Sequence, residues 1–280
     1  MAKLIETSRS DIVRETAYAK INLALHVRAR RGDGYHELET LFAFVDAGDE
    51  LVASGSGQDQ LSVVGEFAGA LTDPFDNIVM RALGALPRAG GLAITLEKNL
   101  PVAAGLGGGS ADAGAVFRMV EAAHGLPDDW RERAAKLGAD VPACVESVTH
   151  IGTGTGTERR EVVDDLAGTP VLLVNPREPL ATGPVFRNWH GLDDGPLPEG
   201  SAREIALYGM NGLEGAAIDL CYPIADVLEQ LRATDAWLAR MSGSGATCFA
   251  LFHDEAERDH AAASIADKRP AWWQMKGRLR

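Results

Sequence analysis

The fold is decided by one glycine-rich stretch, PVAAGLGGGSADAG, at residues 101–114. A short apolar segment, 92–96, predicts a strand before it, and the segment at about 109–124 predicts a helix after it, ended by Gly125 and Pro127. Glycines permit positive φ angles and close approach of the backbone, and the start of a helix offers unpaired N–H groups and a positive dipole end. Together these features predict a cradle for phosphate groups.

Two familiar phosphate-binding motifs do not fit this stretch. A P-loop ends in Gly-Lys-Ser/Thr, whereas Gly109 is followed directly by Ser110. The dinucleotide pattern G-x-G-x-x-G matches Gly105 and Gly107 but requires glycine at position 110. Ser110 is therefore a candidate to cap the helix, or to contact a phosphate group or a magnesium ion. A flexible glycine turn that binds nothing is the alternative interpretation.

Before this stretch, the segment INLALHVRAR at 21–30 alternates apolar and other residues with a period of two. This alternation predicts a half-buried strand. Its apolar face would carry Ile21, Leu23, Leu25 and Val27. Lys20, Asn22 and His26 would then lie on the opposite face, where they can point into a cleft. The strand ends at the turn sequence Arg31-Gly32-Asp33-Gly34, and a second strand over about 35–45 would complete a hairpin.

The remaining segments mix strands and helices without regular βαβ alternation, which favours an α+β fold. Strands are predicted near 49–53, 60–65, 171–174 and 248–252, and helices near 77–86, 128–137, 223–239 and 255–266. The Gly/Thr-rich segment at 152–160 is interpreted as a turn or connector, and residues 188–200 as a loop. A domain boundary is placed nearby, which gives an N-terminal domain of 1–157 and a C-terminal domain of 158–280.

Composition narrows the classes of function. The formal net charge is −13, so a general nucleic-acid-binding role is not expected, because such a role needs a basic face. The three cysteines, Cys144, Cys221 and Cys248, are widely spaced and odd in number, which is typical of a reducing cytoplasm. The N-terminal segment carries charges throughout, and no long apolar run occurs, so neither a signal peptide nor a membrane span is expected.

Three motifs in order resemble the GHMP kinases: AYAKINLAL at 17–25, the glycine-rich stretch at 101–114 and MSGSGATCFALF at 241–252. The segments RGDGYHELETLF (31–42), GADVPAC (138–144) and NGLE (211–214) narrow the resemblance to members whose acceptor alcohol is joined through a diphosphate to cytidine. The resemblance implies a two-domain α+β fold with the active site in the cleft between the domains. It also implies a small-molecule kinase that uses ATP and Mg²⁺.

The resemblance assigns roles to individual residues. Lys20 and Asp140 match the catalytic pair, and Lys98 is a plausible nucleotide contact. The ATP phosphate loop comprises Pro101, Val102, Ala103, Ala104, Gly105, Leu106, Gly107, Gly108, Gly109, Ser110 and Ala111. The substrate side comprises Asn22, Tyr35, His36 and Thr182. No residue is assigned as a metal ligand. Phosphoryl transfer requires the acceptor hydroxyl to be positioned and its proton taken up, which a carboxylate such as Asp140 can do.

Each assignment has a purely structural alternative. Asp140 precedes Val141 and Pro142 and can serve as a helix N-cap. Lys20 can be a solvated lysine on an edge strand, and Tyr35 and His36 can flank a hairpin. Thr182 has the weakest support. His26 and His124 are expected to be structural or surface residues, the cysteines core residues, and the turn at 242–245 either structural or part of the phosphate site.

Two other functions remain open on the sequence. The first is another GHMP kinase, acting on homoserine or mevalonate, against which the DGYH segment argues because it suits a ring-bearing substrate. The second is a nucleotide-binding module without activity, against which the presence of both Lys20 and Asp140 argues. A monomer or weak homodimer is expected, with no nucleic-acid or membrane partner.

Overall fold

The computed structural model describes residues 12–71 and 77–280. The strands are Val13–Arg30 (β1), His36–Ser56 (β2), Gln60–Val64 (β3), Gly91–Glu97 (β4), His150–Gly154 (β5), Glu158–Arg160 (β6), Pro170–Asn175 (β7), Leu238–Met241 (β8), Cys248–Leu251 (β9) and Trp273–Arg278 (β10). The α-helices are Ile78–Ala85 (α1), Gly108–His124 (α2), Trp130–Leu137 (α3), Val141–Glu146 (α4), Thr182–Asn188 (α5), Ala202–Tyr208 (α6), Glu214–Leu220 (α7), Pro223–Arg232 (α8) and Glu255–Lys268 (α9).

The strands form two sheets that share a core. In the six-stranded sheet, β1 pairs with one edge of β2, while β4 and β5 pair with the two halves of its other edge. The four-stranded sheet has the order β10-β7-β9-β8. One hydrophobic cluster joins the sheets, with Ile21 and Leu23 of β1 packed among residues such as Leu173 and Phe249. Helices α1–α4 cover the outer face of the first sheet, and α5 and α7–α9 cover the second.

The free edge of β1 is where distant segments of the chain meet. An unpaired strand edge exposes N–H groups that require partners. Four N–H groups along this edge find them in four different segments: Lys20 donates to the Leu106 carbonyl (2.9 Å), Asn22 to Ser242 Oγ (3.2 Å), Leu25 to the Met210 carbonyl (2.8 Å) and Val27 to Asp194 Oδ2 (2.7 Å). These contacts bring parts of the three motifs, at 17–25, 101–114 and 241–252, together along β1.

The prediction of a half-buried β1 is wrong. Residues 19–27 are buried throughout, because the sheet has helices on one face and the second sheet on the other. Register shifts between Tyr18 and Lys20 and between Asn22 and Ala24 also break the period of two. His26 is therefore not in the cleft with Asn22; its Nδ1 lies 3.0 Å from the Gly195 carbonyl, and its Nε2 accepts from the Met210 N–H.

The α+β class is confirmed, with three corrections to the elements. The helix predicted over 223–239 ends at Arg232, and the chain from Leu238 is already strand β8. The segment at 152–160 is not a simple connector, because β5 and β6 pair there as a hairpin. Strand β10 and helices α4, α5, α6 and α7 were not predicted. The boundary at 157/158 stays a prediction; it falls between the paired strands β5 and β6.

All three cysteines are buried and free, in agreement with their expected place in the core. Burial raises the pKa of the Cys144 and Cys248 thiols, so neither is suited to act as a nucleophile. Within residues 12–71 and 77–280, no helix is long and apolar enough to span a bilayer.

Candidate active site

A cavity of about 840 Å³ brings together most of the residues singled out from the sequence. It is lined by Lys20, Asn22, Tyr35, His36, Ala103, Ala104, Gly105, Gly107, Gly108, Gly109, Ser110, Asp140 and Thr182, among others. A second cavity of about 370 Å³ lies beyond the glycine-rich loop and is lined by Lys98, Pro101 and Val102. Leu106 and Ala111 line neither cavity and are buried in the core.

Lys20 and Asp140 form an ion pair in the larger cavity, with Lys20 Nζ 3.1 Å from Asp140 Oδ2. Lys20 is only 6% exposed, so it is not a solvated edge lysine. Asp140 occupies the N-cap position of α4, yet its side chain accepts no capping hydrogen bond. Its carboxylate is therefore directed to Lys20 rather than to the helix, and about a third of it remains accessible from the cavity.

Asn22 holds the lysine from its other side. Its Oδ1 accepts a hydrogen bond from Lys20 Nζ (3.1 Å), and its Nδ2 donates to Thr40 Oγ1 (2.7 Å). Thr40 in turn donates to the Ala24 carbonyl (2.7 Å), which fixes the direction of the chain of hydrogen bonds. The Phe42 ring lies 4.9 Å from the same ammonium group. Because all these groups are on the rigid β1–β2 pair, the ammonium has little freedom to move.

The glycine-rich loop has the backbone geometry that its sequence predicts. Gly105 and Gly107 adopt positive φ angles of 77° and 62°, which other residues rarely adopt. Helix α2 begins at Gly108 with Gly107 as its N-cap residue and no side-chain cap. Ser110 therefore does not cap the helix, as one of its predicted roles required; it lies in the first turn and lines the cavity beside Asp140.

The 242–247 turn fixes the loop from the side of the second sheet. Ser242 Oγ donates to the Gly105 carbonyl (2.9 Å), and the Thr247 N–H donates to the Ala104 carbonyl (3.2 Å). A Cβ atom on Gly105 would lie 2.4 Å from the Ser242 carbonyl oxygen, so the contact requires glycine. The turn therefore does more than connect two strands: it sets the position of the loop.

Lys98 lies behind the loop in a buried cluster with Asp49 and Asp112. Its Nζ contacts the carboxylates of both, that of Asp112 at 2.8 Å. Burial alone would lower the pKa of Lys98, but the charges of Asp112 and Asp49 outweigh it and raise that pKa. Asp49 also accepts the N–H groups of Asn99 (2.6 Å) and Leu100 (2.7 Å). The lysine thus ties the strand before the loop to the helix after it, a function that no motif indicated.

The far end of the cavity is aromatic. His36 is 7% exposed, and its Nε2 has no hydrogen-bond partner among the described residues. Its ring lies 5.0 Å from Phe186 and 5.6 Å, edge-on, from Trp189. Burial, together with the nearby charge of Arg30, lowers the pKa of His36. Tyr35 is 66% exposed at the rim, so its ring is free to cover a ligand.

Helix α5 lines the cavity from this aromatic end, where Phe186 packs against His36, to the 242–247 turn. Thr182 lies in its first turn, with Oγ1 3.0 Å from Ser244 Oγ. Phe186 and Arg187 follow on the same face and also line the cavity, as do Leu25 and Leu38. The sequence did not place any of these four residues in the cavity. For Leu25 the missing signal was the bulge in β1, and for α5 only the i, i+4 spacing of Thr182 and Phe186 could have indicated a common face.

Comparison with known proteins agrees with this geometry. Residues 77–147 match the family model "GHMP kinases N terminal domain" and residues 197–271 match "GHMP kinases C terminal". The chain is 64% identical over 272 residues to a 4-diphosphocytidyl-2-C-methyl-D-erythritol kinase of Erythrobacter litoralis, covering 96% of this chain and 100% of that one. It is 66% identical over 272 residues to the kinase of the same name from Novosphingobium aromaticivorans, covering 97% and 94%.

A solved structure shows the same architecture. The crystal structure of a 4-(cytidine 5'-diphospho)-2C-methyl-D-erythritol kinase superposes with a TM-score of 0.80 at 32% identity, over 95% of this chain and 99% of that chain. The predicted two-domain GHMP fold is thereby confirmed. By sequence and by structure, the chain belongs to the 4-diphosphocytidyl-2-C-methyl-D-erythritol kinase family of the GHMP kinases.

Proposed function

We propose that this chain transfers the γ-phosphoryl group of ATP to the 2-hydroxyl group of 4-diphosphocytidyl-2-C-methyl-D-erythritol, a step in making isoprenoid precursors by the non-mevalonate route. The observation that carries the proposal is the Lys20–Asp140 pair, at 3.1 Å, in a cavity with the glycine-rich loop along one wall and His36 along another. The names of the relatives supply the identity of the acceptor.

Asp140 receives the proton of the acceptor hydroxyl. Its carboxylate makes no helix cap and is a third accessible, so an alcohol in the cavity can donate a hydrogen bond to it. Lys20, held by Asn22 Oδ1, places its positive charge beside the same point. As negative charge spreads over the transferring oxygens, this preorganised cation stabilises it without having to move.

The glycine-rich loop holds the triphosphate of ATP. The first turn of α2 offers the N–H groups that a helix leaves unpaired, and Gly107 and Gly108 let phosphate oxygens approach the backbone. The second cavity, on the other side of Gly108 and Gly109, is lined by the apolar side chains of Leu71, Ile78 and Val102 together with Asn77. It is the place for the adenine ring, because the γ-phosphate must face Asp140 in the larger cavity.

Mg²⁺ accompanies the nucleotide. Oxygen ligands suit this ion, and Ser110 lies in the same cavity as Asp140. Within the described part of the chain, no three acidic, histidine or cysteine side chains cluster as a metal site. The residues of the site therefore suit an ion that is held chiefly by phosphate oxygens. Ser110 is the candidate protein ligand. When bound, the ion neutralises charge between the phosphates.

The cytosine ring lies at the aromatic end. The Nε2 of His36, which has no partner in the described part of the chain, can form a hydrogen bond with a pyrimidine edge, and Tyr35 at the rim can stack on the pyrimidine face. Thr182 and Asn22 lie along the path between this end and Asp140.

We further propose a cytoplasmic monomer or weak homodimer that has no nucleic-acid partner, as the sequence indicates. In this scheme Lys98 positions the loop and does not contact the nucleotide through its amine, which is occupied by two carboxylates.

An acceptor assay tests the proposed function against its alternatives. ATP consumption is followed with no acceptor, with the cytidyl diphosphate substrate, with homoserine and with mevalonate, and the product is assigned by phosphorus NMR. We expect turnover with the cytidyl substrate alone and a new phosphomonoester on its 2-hydroxyl. Turnover with homoserine or mevalonate instead would assign the chain to another kind of GHMP kinase. ATP binding without turnover of any acceptor would identify a non-catalytic module.

A further inference from the structure

Arg187 is an exposed cation at the wall of the larger cavity. Among the described residues, Lys20 is the one lysine and Arg187 the one arginine lining that cavity. Lys20 is already paired with Asp140. Arg28 and Arg31 on the neighbouring hairpin are likewise paired with carboxylates. In the described part of the chain, no carboxylate lies within ion-pair distance of Arg187, so its charge is available to a ligand.

The side chain of Arg187 runs back along α5 towards Gly183, which also lines the cavity. Its Nη1 lies over Gly183, where an added Cβ atom would be 3.2 Å away, so the absence of a side chain at 183 makes room for the guanidinium. The same helix face carries Thr182, next to the Ser244 hydroxyl, and Phe186, next to the His36 ring. The guanidinium therefore shares a face with residues at both the phosphoryl-transfer end and the aromatic end.

Charge explains why such a residue is needed. The chain has a formal net charge of −13, which opposes the approach of an anionic ligand unless a local cation offsets it. A guanidinium forms two parallel hydrogen bonds with phosphate oxygens, and it stays charged at any physiological pH. A ligand that spans from His36 to Asp140 with a diphosphate between its two ends would bring its phosphates to this face.

We propose that Arg187 binds the diphosphate of the cytidyl substrate and so selects nucleoside diphosphates over uncharged pyrimidine nucleosides. The inference rests on the proposed function, since it assumes that the aromatic end takes the cytosine ring. It adds a residue that distinguishes the acceptor by its charge, whereas His36 and Tyr35 distinguish it by its ring.

The test compares the affinities of CDP and cytidine, measured calorimetrically, for the wild-type protein and for Arg187→Gln. We expect the variant to lose about tenfold or more in affinity for CDP, the scale of a charge-assisted bidentate contact. Its affinity for cytidine should change by less than about threefold. Arg187→Lys should recover part of the loss. The control Arg160→Gln removes an exposed charge from β6, outside both cavities, and should leave the ratio of the two affinities within about twofold.

Two results would overturn the inference. Unchanged affinity of Arg187→Gln for CDP would show that the guanidinium does not contact the diphosphate. Equal losses for CDP and cytidine would show that Arg187 acts only through the packing of Phe186. Because Arg187 is exposed, the variant should unfold at the wild-type temperature. Turnover of the cytidyl substrate by the wild-type protein distinguishes failure of this inference from failure of the proposed function. If turnover is present, either result refutes only the role of Arg187. If turnover is absent, the proposed function fails as well.

Discussion

His36 is the residue at which acceptor recognition can be followed by pH. Its lowered pKa, caused by burial and by Arg30, keeps the imidazole neutral near pH 7. We expect cytidine affinity to be flat above pH 7 and to fall only below pH 6.5, as the pH drops through the lowered pKa of His36, because protonation charges a ring that the ligand desolvates further. Calorimetry between about pH 8 and 5.5 measures this dependence. A His36→Asn variant that kept the same dependence would exclude His36 as its source.

The lowered pKa of His36 also makes the stability of the folded protein depend on pH. A histidine whose pKa is lower in the folded than in the unfolded protein binds protons more readily when unfolded. Its stabilising contribution is therefore complete above the unfolded pKa of 6.5 and is lost as the pH falls below it.

At the residue scale, sequence could indicate Lys20, Asp140 and His36, because each lies in a short recognisable motif. It could not indicate that Thr40 orients Asn22, because the register shift between Asn22 and Ala24 decides which residues of β2 lie beside Asn22.

At the scale of elements, the contact between the glycine-rich loop and the 242–247 turn can be broken at one atom. Gly105→Ala places a methyl group 2.4 Å from the Ser242 carbonyl oxygen and forces a φ of 77° on a residue with a Cβ. We expect at least about 1 to 2 kcal/mol of lost stability and a weaker ATP affinity, measured by denaturant unfolding and by calorimetry.

The matched control is Gly84→Ala in α1. Within residues 12–71 and 77–280, no atom lies within 4 Å of an added Cβ there, and alanine favours a helix over glycine by about 1 kcal/mol at most. It should therefore keep or raise stability and leave ATP binding unchanged. Wild-type stability and ATP affinity in Gly105→Ala would show that the loop does not depend on the turn for its position.

Elements with a strong local pattern were predictable, and those decided by tertiary contact were not. The strand–loop–helix around 101–114 carries its signal in its own glycines. The sequence carries no local signal for the end of helix α8, because the apolar spacing continues past Arg232. The helix ends there because the chain from Leu238 pairs with β9 in the second sheet. Helix α5 has seven residues and no side-chain cap, so its sequence alone does not distinguish it from a loop.

At the scale of the whole molecule, Arg240 joins the second sheet to the first. Its guanidinium donates to the carbonyl groups of Leu23, Ala206 (2.9 Å) and Gly209 (2.7 Å), and burial lowers its pKa to about 10. Arg240→Ala should cost about 3 kcal/mol or more, since three buried carbonyls lose a charged donor. Denaturant unfolding measures the cost.

Arg232→Ala is the control for charge. Arg232 forms an exposed ion pair with Glu214, and such pairs contribute about 1 kcal/mol or less. Equal effects of the two substitutions would show that Arg240 does not join the sheets. Sequence could not reveal this role, because an arginine followed by Met-Ser-Gly-Ser-Gly has the same letters whether its side chain is buried or solvated.

The central claim is that Asp140 and Lys20 act as one catalytic unit between ATP and the acceptor alcohol. Its most direct test is kcat for Asp140→Asn, Lys20→Met and the double variant, with both ligands shown to bind by calorimetry. Asp140→Asn should lower kcat by about a hundredfold or more, the scale of a lost general base. Because residues that act as a unit are not additive, the double variant should be little worse than the poorer single one. A kcat near the wild-type value in Asp140→Asn would contradict the mechanism, and strictly additive losses would show that the two residues act separately.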